Sequence, residues 1–268
     1  GDATSLPGMP PRGEIAAALL SLGPKKRDRQ AFEDTLDQLR AKLAIGGSET
    51  ETSARGETVR PHLADLLRLA AESLREPAFP AAEFEKLIRE RTTALDEQRT
   101  EPESIAERAL ARWDNPYAKG DVRYVPTFDE ELAEINATTL EQVKTFYARF
   151  VGGANAELAI VGDFDPDAIR ALVTELFGAW TSPAPYARVP NPYRPPAPTV
   201  LTATTPDKAN ATLMGRVPLP INDRSDDLPM LMVVDRILGA SPESRIPDRV
   251  REREGLSYSI QTWLAVSS

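Results

Sequence analysis

The sequence predicts an α+β fold made of more than one unit. Three observations carry this expectation. Amphipathic helical stripes recur between residues 13 and 177; apolar, strand-like runs stand at 157–163 and again beyond 199; and SPAPYARVPNPYRPPAPT (182–199), with seven prolines, lies between the two regions. Proline fixes φ and removes a backbone donor, so this stretch is kept out of helix and sheet interiors and reads as an extended strap. The expected organisation is one unit over 1–181, a linker over 182–198 and the start of a second unit over 199–268.

Taken in order, GEIAAALLSL (13–22) reads as a short helix closed by Gly23-Pro24. Residues 28–39 read as an amphipathic helix with Phe32, Leu36 and Leu39 at i, i+4 and i+7. AKLAIGG (41–47) and ETSARG (51–56) form an expected strand pair. Pro61 suits the first position of a helix over 61–76, whose Leu63, Leu66, Leu67, Ala70 and Leu74 trace one apolar stripe; Pro77 ends it. Pro80 opens a helix over 81–99 with Phe84, Leu87, Ile88 and Leu95 on one face. Pro102 opens another, expected to bury Ile105, Ala106, Ala109, Leu110 and Trp113.

Two capping boxes are predicted, Thr127 with Glu130 and Thr138 with Glu141, the second starting a helix that carries Leu140, Val143, Phe146 and Phe150. ELAIVGD (157–163) reads as a near-continuous apolar strand. Asp165-Pro166 caps a helix with Ile169, Leu172, Val173, Leu176 and Phe177, closed by Gly178. Past the strap come strands at 200–205 and 211–217, helices near 226–239 and 245–253, and a strand at 257–266. That series is short of a finished domain, and the opening GDATSLPG lacks an initiating methionine; both predict a piece of a longer polypeptide.

Composition narrows the chemistry. With 41% hydrophobic and 27% charged residues over 268 positions, the chain can bury a real core. A net charge of -9 argues against nucleic acid or an anionic membrane as the main partner, and no apolar run approaches the ~20 residues of a membrane span. The absence of cysteine removes disulfides, thiolate metal sites and cysteine nucleophiles. The single histidine, His62, stands in the first turn of a helix with no His, Cys or paired carboxylate three or four residues on, and reads as a solvated or capping residue. VGDFD (161–165) lacks the glycines of a phosphate loop and reads as a strand-to-helix turn, and DEEL (129–132) as an acidic helix start.

An ordered set of segments carries a resemblance. REPAFPAAEFEKL (75–87), FDEELAEINATTLEQVKTFYARF (128–150), ELAIVGDFDPDAIRALVTELFGAW (157–180), the strap, and ILGASPESRIPDRVREREGLSYSI (237–260) together resemble the insulinase/pitrilysin family of H-x-x-E-H zinc metallopeptidases, in the half that does not bind zinc. The resemblance implies repeated LuxS/processing-peptidase-like α+β units, each a mostly antiparallel sheet backed by helices, with the second unit truncated. It also implies a peptide-enclosing chamber shared with a zinc-bearing half or partner subunit, and a periplasmic setting by likeness to long bacterial members.

Aligned on the turn Ser21-Leu22-Gly23-Pro24, the resemblance places the two histidine positions at Glu14 and Ala18 and the general base at Ala17. It places the third ligand near Thr93 or Ala94, with Glu97 close by. A catalytic zinc needs three protein ligands, an open position for water and a base within reach of that water. EIAAALL offers one carboxylate followed by methyl groups, so no zinc is expected in this chain and none of its residues is expected to be a metal ligand; zinc is expected in the other half.

The resemblance gives the zinc-free half a different task. An arginine and, seven residues later, a tyrosine reach the substrate at the metal, and Arg251 and Tyr258 match both type and spacing. Such donors suit the negative charge that develops on a scissile carbonyl oxygen, and Gly255 between them allows the backbone to turn. Two other expectations stay open: a degenerate member that serves only as a peptide-binding or assembly module, and a metallopeptidase in another register. A homo-oligomer is open as well.

Overall fold

A computed structural model of the chain describes residues 1–9, 11–48 and 50–266. The helical stripes become helices close to their expected bounds. They are α1 (Arg12–Leu20), α2 (Arg29–Gln38), α3 (Leu63–Arg75), α4 (Ala81–Gln98), α5 (Pro102–Trp113), α6 (Phe128–Ala137), α7 (Leu140–Phe150), α8 (Pro166–Phe177), α9 (Leu228–Leu238) and α10 (Arg245–Pro247). A 3₁₀ turn (Arg60–His62) precedes α3, and α10 runs directly into a π-helical segment (Asp248–Arg253). β1 (Lys42–Gly47) and β2 (Thr52–Glu57) pair antiparallel, with Lys42 opposite Glu57 and Gly47 opposite Thr52.

The chain divides into two compact units, one of Gly1–Asn191 with Thr199–Gly215, the other of Pro192–Pro198 with Arg216–Ser268. In the first, α1 is the central element. Ile15, Ala16, Ala17, Leu19 and Leu20 are all buried, because β1, α4 and α7 pack around it. A helix apolar on all sides is stable only when enclosed in this way. Ile45 from β1, Val143 and Phe146 from α7, and Phe79 complete the core around it. Phe79 reaches this position with φ at 45°, a left-handed conformation uncommon for a bulky residue, and its ring meets Tyr147 edge-on with centroids 5.3 Å apart.

Several expectations are corrected. The second capping box is made one residue later. Thr139 Oγ1 accepts from Gln142 N–H at 3.3 Å and Gln142 Oε1 accepts from Thr139 N–H at 3.0 Å. Thr138 is engaged by the preceding helix instead, its hydroxyl donating to the Glu134 carbonyl at 2.8 Å. Ile105, Ala106, Ala109, Leu110 and Trp113 are half-buried, since α5 buries no residue fully.

The segments 157–163, 200–205, 211–217 and 257–266 join no ladder, β1–β2 being the sheet found among the described residues. An apolar run becomes a strand only where a neighbour supplies hydrogen bonds. Here Val161 is 99% exposed and Val200 91%.

Candidate functional site

The second unit buries few side chains, so its geometry rests on hydrogen bonds at the C-terminal end of α9. Gly239, Ser244 and Pro247 are its buried residues among those described. Ser244 Oγ donates to the Arg236 carbonyl at 2.7 Å and accepts from Ser241 N–H at 3.1 Å, folding the turn after α9 back onto the helix. The Asp235 carbonyl accepts from Gly239 and Ala240 N–H. The Asp235 carboxylate accepts from the Thr262 hydroxyl at 2.6 Å, while Thr262 N–H donates to the Gly239 carbonyl at 3.2 Å. A Cβ on Gly239 would lie 2.7 Å from Thr262 Cγ2 and 3.0 Å from its backbone nitrogen, so only glycine admits this approach.

Arg251 sits in the π-helical segment and Tyr258 on the irregular chain beyond it. The turn between them is made at Gly255, with φ at 62°, a conformation that glycine adopts without steric cost. Leu256 N–H reaches back to the Val250 carbonyl at 2.9 Å, one residue further than in the usual glycine-capped helix end, as the wider π turn requires. Arg251 and Tyr258 thereby line one cavity of about 230 Å³, with Gly239–Pro242, Pro247 and Ser259–Gln261 as its other walls.

Within that cavity the Tyr258 side chain is held by little, for the residue is 91% exposed. The Arg251 side chain is 38% exposed, and its Nε donates to Glu252 Oε1 at 2.6 Å. The Ser241 hydroxyl foremost, then the backbone and the charges of Arg236 and Arg251, hold the Glu243 carboxyl below its ordinary pKa. The site is therefore an open recess with a guanidinium and a phenol on its wall. Both are hydrogen-bond donors suited to carbonyl or carboxylate oxygens.

The first unit brings the other candidates to different surroundings. Glu14 Oε2 accepts from Arg91 Nη1 of α4 at 2.8 Å. Ala17 is buried beside Gly47 of β1, where a further methyl would stand 3.1 Å from its own. Ala18 offers no donor, and Thr93, Ala94 and Glu97 are exposed along α4. His62 occupies the N-cap position of α3 without a side-chain capping bond. Among the described residues no group of three His, Cys, Asp or Glu side chains is gathered for a metal. The donor set at 14, 17 and 18 does not fit a catalytic zinc, because its one carboxylate is neutralised by a guanidinium and its other positions are methyls packed against the core.

The family model described as the peptidase M16 inactive domain matches residues 137–268. These residues belong to the peptidase M16 family, in its inactive domain. The matched M16 region contains Arg251 and Tyr258 and begins well after Glu14, Ala17 and Ala18. The fold is similar to the M16 inactive domain from Pseudomonas fluorescens, at 20% identity over 98% of this chain and 62% of that one, with a TM-score of 0.72. It is also similar to a protease from Helicobacter pylori, at 14% identity over 100% of this chain and 65% of that one, TM-score 0.68. A conserved protein from Enterococcus faecalis V583 shares 15% identity over 96% of this chain and 64% of its own, TM-score 0.60. The chain thus spans less than two thirds of the length of these structures. A comparison with curated proteins finds no match.

The residues that sequence reasoning missed are those that hold the recess together: Asp235, Ser244 and Thr262. Their signals were slight. Gly239 was legible as a helix stop, but the Thr262 contact that demands it spans 23 positions and leaves no periodic trace.

Proposed function

We propose that this chain is part of the non-catalytic half of a zinc metalloendopeptidase. In this reading it forms part of a chamber around extended peptides and presents Arg251 and Tyr258 to a substrate held at zinc elsewhere, on the same polypeptide or on a partner subunit. Residues 1–181 and 199–268 would be two family units joined by the strap at 182–198. The observation that carries the reading is the recess shared by Arg251 and Tyr258 inside an M16 inactive domain.

The chemistry follows from what the two side chains can donate. Amide hydrolysis places negative charge on the carbonyl oxygen in the transition state, and a fixed O–H or N–H aimed there stabilises that state more than the ground state. Arg251 adds a planar fork for peptide carbonyls. Exposure of Tyr258 suits a group that completes its contacts only when peptide arrives. Apolar residues of α9 such as Met230, Met232 and Val233 are exposed as well, a surface that association with the rest of a chamber would cover.

The test is Arg251→Ala and Tyr258→Phe, each in the complete zinc-bearing protein. Each change is expected to lower kcat/KM for an extended peptide by about 10²-fold or more, the loss typical of an oxyanion donor. Unchanged kcat/KM in both would reduce this half to a scaffold.

A further inference from the structure

We propose that the Asp235–Thr262 hydrogen bond is a positioning clamp for Tyr258, an inference that rests on reading Tyr258 as a substrate contact. Tyr258 lies on a segment that joins no sheet, and its side chain is 91% exposed, so neither ladder nor packing fixes it. Two anchors do. On one side Gly255 turns the chain at φ 62° and Leu256 N–H returns to the Val250 carbonyl. On the other, Thr262 is tied to the end of α9 by its hydroxyl to Asp235 Oδ1 at 2.6 Å and its N–H to the Gly239 carbonyl at 3.2 Å.

Residues 256–261 bridge these anchors, and Tyr258 to Gln261 line the recess together with Gly239–Pro242. Between the anchors Ser257 Oγ donates to the Ser259 carbonyl at 2.8 Å, a bond that ties the segment to itself. The close Gly239–Thr262 contact gives the clamp little slack, because the helix end and the threonine are already in van der Waals contact. Releasing Thr262 frees the bridge at one end and lets the phenol drift. A drift of about 1 Å in a catalytic donor costs up to about 10²-fold in rate.

The test combines hydrogen exchange with a double-mutant cycle. Thr262→Val removes the hydroxyl and keeps the shape; Thr262→Ser keeps the hydroxyl. Exchange of the 256–261 amides is expected to accelerate in Thr262→Val and in Asp235→Ala, and to stay near wild type in Thr262→Ser. In the complete zinc-bearing protein, Thr262→Val is expected to lower kcat/KM for a fluorogenic peptide by at least about 10-fold. In a Tyr258→Phe background the same change is expected to cost nothing further, since it acts through the phenol. Unchanged exchange, or an equal loss in both backgrounds, would overturn the clamp. If Tyr258→Phe alone leaves kcat/KM intact, the substrate-contact reading falls, and the exchange data then decide the clamp by themselves.

Discussion

At the scale of single residues, burial and hydrogen bonding decide which side chains support the fold and which are left free to act. Tyr147 belongs to the first kind. Its hydroxyl donates to the Leu74 carbonyl at 2.8 Å, and desolvation pushes its pKa up to about 12 from 10.0. A raised pKa means stability that is complete below the unfolded value and is lost as pH rises through the folded one. Alkaline unfolding is therefore expected to respond to Tyr147 between about pH 10 and 12, and Tyr147→Phe should remove that response. The same change should lower stability by about 1 kcal/mol in a urea titration near neutral pH, through the lost hydrogen bond.

Glu14 is of a different kind, a half-exposed carboxylate paired with Arg91. Glu14→Gln is expected to shift stability by no more than about 1 kcal/mol, as for other accessible ion pairs. It should also leave the metal content of the purified chain unchanged.

At the scale of elements, the capping box at the start of α6 is the clearest local device. Thr127 Oγ1 accepts from Glu130 N–H at 3.2 Å and Glu130 Oε2 from Thr127 N–H at 2.9 Å. The Thr127 N–H first, then Lys119 and Tyr124, hold the Glu130 carboxyl down at about 2. Its contribution is present above the ordinary carboxylate value of 4.5 and is lost as pH falls toward about 2. Thr127→Ala should cost about 1 kcal/mol at neutral pH, and thermal melts of Glu130→Gln, which removes the titrating carboxylate, should show a smaller loss on acidification than those of wild type.

This box was legible in the sequence because its two partners are three residues apart. The next one was read one residue early, since Thr138 and Thr139 adjoin and Glu141 and Gln142 both suit the third helical position. Helices were legible through their 3.6-residue stripes, down to the turn at Gly255. The extended runs were not, because an apolar composition such as ELAIVGD specifies a strand only together with a neighbour that the segment does not encode. The pairing of Arg251 with Tyr258 rests on type and spacing, and the two line one recess, while the hydrogen bonds shaping that recess were beyond any local pattern.

At the scale of the whole molecule, the two units differ in how they are held. The first surrounds α1 with a continuous apolar core, whereas the second relies on hydrogen bonds around Gly239, Ser244 and Pro247. Units with few buried apolar contacts open more readily. Amides of α9 and of the 245–253 helix are expected to exchange faster than those of α1 and α7 in the isolated chain. The isolated chain is also expected to hydrolyse extended peptides no faster than background, because the positions that would hold zinc carry a paired carboxylate and methyl groups. Turnover above background that a chelator abolishes would contradict this.

The account centres on Tyr258 meeting substrate, and photocrosslinking tests that contact directly. Benzoylphenylalanine installed in place of Tyr258 in the complete zinc-bearing protein should capture a labelled peptide substrate on irradiation. The same group in place of the exposed Val161 should not. Hydrolysis of the peptide without capture at 258, or equal capture from both positions, would contradict the account.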